Sequence, residues 1–227
     1  MKKLFIVIEG IDCSGKTTQA ELLKEYFITQ EQQAVISPEP SNGIIGNIIR
    51  QALKQRIIFS RNRALFDEQM AYLFAADRHD HLYNDIDGVF KLIEDNYHVI
   101  STRYYFSSLA YNCDTVEADG CGLGGLSHEQ PVREKFNFIK KLNDRFPNPD
   151  LTIYLDLPVE ASLVRLQDRS LQEIYETKSK LVQVRQQYQK IFAEYDGKAI
   201  VLDATQDREQ IHRLIVREVE ATIASKQ

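Results

Sequence analysis

Hydrophobic residues along the chain fall into two kinds of segment. Short unbroken apolar runs occupy residues 4–8, 34–37, 98–101, 151–156 and 199–203 and are rich in β-branched and aromatic side chains. Runs of that length and composition predict strands buried on both faces. Between them, apolar residues recur at helical spacing. Ala20, Leu23 and Phe27 mark a helix over 18–27, and Ile44, Ile45, Ile48, Ile49 and Leu53 form one face of a second, with Arg50 off that face. Leu65, Met70, Leu73, Phe74 and Leu82 punctuate a long helical stretch over 61–85, and a short amphipathic piece covers 89–94. Residues 107–112 look helical, and Pro131 is suited to open a further helix through Phe136, Ile139 and Leu142, closed by Pro147 and Pro149. A continuous charged helical region is expected from 159 to 195, and Ile211, Leu214, Ile215, Val219 and Ile223 define a last helix.

Strands alternating with helices predict an α/β protein with a five-stranded parallel sheet and helices on both faces, three layers in all. Its ligands should sit beyond the carboxyl ends of the strands, where the loops after the first three converge and bring Asp12, Glu39 and Arg103 together. Across residues 1–227 no linker, repeat or charge block marks a second domain. The glycine-rich stretch from Asp119 to Gly125 reads as a loop.

The chemistry enters with Gly10, Ile11, Asp12, Cys13, Ser14, Gly15, Lys16, Thr17 and Thr18. This stretch satisfies the phosphate-loop pattern G-x-x-x-x-G-K-[ST] at every fixed position, between a strand and a helix as the motif requires. The loop amides and the helix N-terminus offer partial positive charge to a polyphosphate. Lys16 adds a full charge beside the outer phosphates, and the Thr17 hydroxyl suits Mg²⁺. A polyphosphate with Mg²⁺ is therefore the expected ligand of this loop. An ordinary glycine turn before an ordinary helix would not need all four fixed positions and both flanks to agree.

Composition narrows the class further. The net charge of −5 gives no sign of a nucleic-acid-binding surface, and no apolar run approaches the roughly 20 residues of a membrane span. Cys13, Cys113 and Cys121 are odd in number and lack metal-site spacing, which points to reduced thiols in a cytoplasmic protein. The first strand begins directly after Met1-Lys2-Lys3, so no cleaved leader is expected.

Several stretches in order resemble the thymidylate kinases, a family of nucleoside monophosphate kinases with a P-loop. They are the strand and loop at 5–12, Glu39-Pro40 with Gly46 and Arg50, Leu73-Phe74-Ala75-Ala76-Asp77-Arg78, Arg103-Tyr104 with residues 107–111, residues 149–158, and Leu202-Asp203-Ala204. The match spans nearly the whole chain. The resemblance implies transfer of the γ-phosphoryl of ATP to dTMP. It implies that Phe74 stacks on the thymine and Arg78 hydrogen-bonds it, with Ser108 and Asn112 near the base. Arg50 and Arg103 would hold the acceptor phosphate beside Glu39 and Pro40, Asp12 would face the 3′-hydroxyl, and Tyr111 would pack under the deoxyribose. A short basic lid over about 165–177 would bring Arg165 and Arg169 to the transferring group, because Cys13 stands where some members carry a P-loop arginine. Members of the family commonly form homodimers through helices, which the apolar surface of the 65–82 helix would permit.

Each assignment has a plainer rival: Phe74 as core, Arg50 and Arg78 as solvated helix faces, the 165–177 segment as a surface helix with paired charges. The chain also departs from the family pattern. Thr102 replaces the aspartate before Arg103-Tyr104, Pro38 replaces an arginine before Glu39, and Asn112 replaces a glutamine. The region 113–146 is longer than is usual and glycine-rich. Two other readings follow from these departures, a related kinase with a different nucleoside or nucleotide acceptor and a nucleotide-binding regulatory protein without catalysis.

Overall fold

The computed structural model describes residues 2–111, 129–166 and 177–226. The expected strands form as β1 (Phe5–Glu9), β2 (Ala34–Ile36), β3 (His98–Thr102), β4 (Leu151–Asp156) and β5 (Ala199–Asp203). They pair in parallel in the order β2-β3-β1-β4-β5. Parallel pairing requires crossovers, and helices supply them. These are α1 (Lys16–Thr29), α2 (Ile44–Leu53), α3 (Arg63–Tyr83), α4 (Val89–Glu94), α5 (Tyr105–Tyr111), α6 (Glu129–Asn143), α7 (Val159–Leu166), α8 (Lys178–Glu194) and α9 (Arg208–Ala224).

Helices cover both faces of the sheet. On one, Phe27 of α1 stacks on His98 of β3 at 4.1 Å between ring centres. On the other, Tyr188 of α8 stacks on Tyr154 of β4 at 5.2 Å. Register then places a carboxylate under α8, because Glu9 is the partner of Tyr154 across the β1–β4 ladder. Strands β1 and β4 sit mid-sheet and are almost wholly buried, which is why they read as unbroken apolar runs. The edge strand β5 leaves Val201 exposed.

Three helical expectations change in detail. The region 159–195 holds two helices, α7 and α8, with residues 167–176 outside the described part. The face of α2 is rotated from the isoleucine stripe. Ile44 is 83% exposed, while Gly46, Ile49, Ala52 and Leu53 are buried. Gly46 lies there because a Cβ would come within 2.0 Å of the Ser41 carbonyl oxygen. On α3, Leu65 is exposed and the buried face carries Asp77, Arg78 and His81, polar groups that pair with one another's neighbours rather than with solvent. No helix among the described residues is long and apolar enough to cross a membrane.

Candidate active site

A cleft of about 510 Å³ opens at the carboxyl end of the sheet. Its walls come from the loops after β1, β2 and β3, as a parallel sheet dictates, and from α2, α3, α5 and α7.

The donor end is the glycine loop. Gly10 has φ 150° and a Cβ there would lie 2.5 Å from Ser14 Oγ and 2.7 Å from the Leu155 oxygen, so glycine is the residue that fits. Cys13 (φ 58°) and Gly15 (φ 98°) turn the chain into α1, whose first turn contains no acidic residue to compete with an anion. Lys16 Nζ donates to the oxygens of Gly10 (2.9 Å) and Ile11 (2.6 Å). Burial, with the Arg103 cation nearby, pushes the Lys16 ammonium down to about 7. Thr17 and Thr18 stand exposed on the cleft wall. From the other side Arg165 donates through Nη1 to the Cys13 oxygen at 2.9 Å.

Arg103 occupies the middle. Its backbone is left-handed, φ 79°, an uncommon setting for a non-glycine residue and one that recurs at functional sites. Its guanidinium forms an ion pair with Asp12 and lies 4.9 Å from the centre of the Tyr111 ring. Nη1 donates to Ser107 Oγ and the Gly10 oxygen, and Nη2 to the Tyr111 hydroxyl, which in turn donates to Asp12 Oδ2 at 2.9 Å. Burial works against the Arg103 charge, but Tyr111 and Asp12 outweigh it and hold the proton more firmly than usual.

Beneath Arg103 lies Glu9, fully buried. Its Oε1 accepts from the backbone of Tyr104 (2.7 Å) and Ser107 (3.2 Å). Its Oε2 meets the hydroxyls of Ser107 and Tyr188, each at 2.8 Å, and those two hydroxyls are 2.8 Å apart. Burial pushes the Glu9 carboxyl up, against the pull of Arg103.

At the acceptor end Phe74 and Pro40 line the cleft with Leu53, Arg78, Ser108 and Tyr111. Arg78 is 1% exposed and forks onto Glu39, Nη2 to Oε2 at 2.7 Å. Burial alone would raise the Glu39 carboxyl; Arg78 and His81 outweigh it and hold it below its ordinary value. Arg50 is half-buried, and its two terminal nitrogens donate to the oxygens of Pro40 (2.7 Å) and Ser41 (2.6 Å). Asp77 clamps the same loop through the Ser41 amide (2.7 Å) and hydroxyl (2.6 Å). Arg50 and Arg78 are therefore not solvated helix faces.

Of the residues singled out in the sequence, Asp12, Cys13, Gly15, Lys16, Thr17, Thr18, Glu39, Pro40, Arg50, Phe74, Arg78, Arg103, Ser108, Tyr111 and Arg165 line this one cleft. Gly10 and Ile11 supply carbonyls to Lys16, and Ser14 is buried behind the loop. Asn112, Arg169, Cys113 and Cys121 lie outside the described residues. Thr102 also lines the cleft, at the end of β3. Glu9 and Ser107 fall in stretches that carry the resemblance, but the hydrogen bonds that make Glu9, Ser107, Tyr188 and Asn143 supporting residues were not legible in the sequence, since their partners lie 65 to 179 positions away. Among the described residues no group of three or more His, Cys, Asp or Glu could hold a metal ion.

The model of the family described as thymidylate kinase matches residues 8–215. A putative thymidylate kinase of Treponema pallidum is 34% identical over 218 residues, 93% of this chain and 92% of that one. A probable thymidylate kinase of Pyrococcus horikoshii is 35% identical over 217 residues, 95% of each chain. The solved structure of thymidylate kinase from Candida albicans, described as revealing the origin of broad substrate specificity, superposes with a TM-score of 0.73 at 23% identity. It covers 97% of this chain and 92% of that one. At that identity the likeness speaks for the fold.

Proposed function

The chain belongs to the thymidylate kinase family, and from that premise we propose that it transfers the γ-phosphoryl of ATP to dTMP, giving dTDP and ADP. The carrying observation is one cleft with a phosphate loop and Lys16 at one end, Phe74 and Arg78 at the other, and Arg103 between. Phosphoryl transfer asks the protein for in-line positioning and cancellation of charge rather than covalent chemistry. In this reading the loop amides and Lys16 hold the outer phosphates of ATP. Arg103 turns its charge to the acceptor dianion, for which a guanidinium fork is suited, and Arg50 supports it from α2. Asp12 faces the sugar 3′-hydroxyl, Tyr111 packs under the deoxyribose, Phe74 stacks on the thymine, and Arg78 and Ser108 meet its edge. Arg165, with Arg169 on the lid, closes over the transferring group.

Magnesium fits this donor set as an ion carried by ATP. The cleft offers the exposed Thr17 hydroxyl next to Lys16 and no carboxylate cage among the described residues, and Mg²⁺ ordinarily keeps waters and phosphate oxygens as ligands. When bound it supplies charge neutralisation between the phosphates. We further place the chain as one catalytic domain working in the cytoplasm. A homodimer through α3 is supported by the exposure of Leu65 and Tyr72.

A nucleoside acceptor would need a free general base for its 5′-hydroxyl, whereas Asp12 and Glu39 are both committed to arginines. The test is an ADP-release assay across nucleosides and nucleoside monophosphates. dTMP is expected to be the best acceptor; a purine monophosphate or thymidine in first place would overturn the reading.

A further inference from the structure

The Arg78 guanidinium carries five N–H groups, and four of them have protein partners. Nε donates to Glu39, Nη2 donates to Glu39 Oε2 and to Ser108 Oγ at 3.1 Å, and Nη1 donates to Asn143 Oδ1. The rings of Tyr104 and Phe146 flank its carbon at 5.5 and 5.6 Å. Arg78 lines the cleft, and its fifth N–H, the second on Nη1, has no partner among the described residues. Asn143 is the last residue of α6, 6% exposed. Its own amide is fixed, since Nδ2 donates to the Ile139 oxygen at 2.8 Å and so turns Oδ1 to Arg78.

We infer that Asn143 is a specificity-determining positioning residue that acts through Arg78, occupying one Nη1–H and aiming the other at a carbonyl oxygen of the acceptor base. The inference rests on the proposal that the base lies against Phe74 and Arg78. Glu39 neutralises the Arg78 charge, so what remains at the cleft surface is a single directed donor, joined by the Ser108 hydroxyl, whose oxygen already accepts from Arg78. A pyrimidine with an oxygen at C4 accepts from such a donor. One with an amino group there sets donor against donor, and unpaired buried polar groups discriminate strongly. Without Asn143 the Glu39 fork still holds one edge of the guanidinium, but nothing on Nη1 fixes its tilt. The productive contact then weakens for the oxo base alone, because the amino base never made it.

The test is steady-state kinetics with dTMP and dCMP on the parent and on Asn143→Leu, with Asn143→Ser as a second variant should the first show no cooperative melting. The ratio of kcat/KM for dTMP over dCMP is expected to fall about tenfold, almost entirely through dTMP, with the KM for ATP within about twofold of the parent. A merely structural asparagine would lower both acceptors alike. An unchanged ratio in a dTMP-selective parent overturns the role of Asn143 alone. A parent with no preference for dTMP overturns the acceptor reading and this inference with it.

Discussion

Arg103 and Asp12 face each other across the middle of the cleft, one from the end of β3 and one from the loop after β1, joined by an ion pair that the Tyr111 hydroxyl bonds on both sides. The strand order makes the pairing possible, because β3 and β1 are neighbours although 91 residues separate the two side chains. An anionic acceptor would compete with Asp12 for this guanidinium.

Arg103→Ala should therefore weaken the acceptor far more than the donor. Loss of a charge-assisted hydrogen bond of about 1.5–3 kcal/mol corresponds to roughly tenfold to a hundredfold in kcat/KM for dTMP. The KM for ATP should hardly move, and a large rise in it would transfer Arg103 to the donor side.

Lys16 should gain a proton as ATP binds. Its ammonium is held down to about 7 in the free protein, and phosphate charges would restore it toward its ordinary value. The sign follows: above about pH 7 the free lysine is largely neutral and the bound one charged, so binding takes up a proton and weakens as pH rises. Calorimetric titration at pH 8 in buffers of different ionisation heat reads this uptake directly, and none would contradict it. Lys16→Ala should cost on the order of a hundredfold or more in turnover.

Gly10→Ala combines a backbone that alanine resists with contacts of 2.5 and 2.7 Å to Ser14 and Leu155. Strain of about 1–3 kcal/mol and a similar overpacking term should lower the melting temperature and abolish ATP binding together. A variant that melts normally and binds ATP would show that the loop can relax.

Thr102→Asp adds a carboxylate at the cleft wall next to Arg103. The family pattern carries an aspartate at this position, so kcat/KM for dTMP should be kept or raised, although the new charge joins Asp12 in competing with the acceptor for Arg103. A collapse of activity would show a site built around threonine.

Tyr188→Phe removes one corner of the triangle made with Glu9 and Ser107, leaving two buried oxygens short of a partner. A loss of about 1–3 kcal/mol in urea unfolding is expected. An unchanged midpoint would mean that the triangle stabilises nothing.

The sequence by itself determined the sheet, the glycine loop and the outline of the cleft. Strand β4 carries the predicted boundaries because a parallel strand buried on both faces is apolar along nearly its whole length, a property written in adjacent residues; β5 keeps its predicted bounds as well, although it lies at the sheet edge and is only partly covered. The phosphate loop is legible for a similar reason, since its backbone angles and its lysine are demanded within eight consecutive positions. The tertiary structure alone decided which protein groups the charged side chains of the cleft meet. Arg50 and Arg78 look like surface residues in any local window, and only folding sets them against carbonyls of the β2 loop and against Glu39. The burial of Gly46 in place of Ile44 followed from the approach of the Ser41 backbone, not from helical periodicity. Glu9 reads as the last residue of an apolar strand; its partner Tyr188 lies 179 positions away and meets it because β1 and β4 pair and α8 crosses above them. Periodicity reports which side of an element is buried, whereas hydrogen-bond partners depend on which elements meet, and that is settled only when the sheet closes.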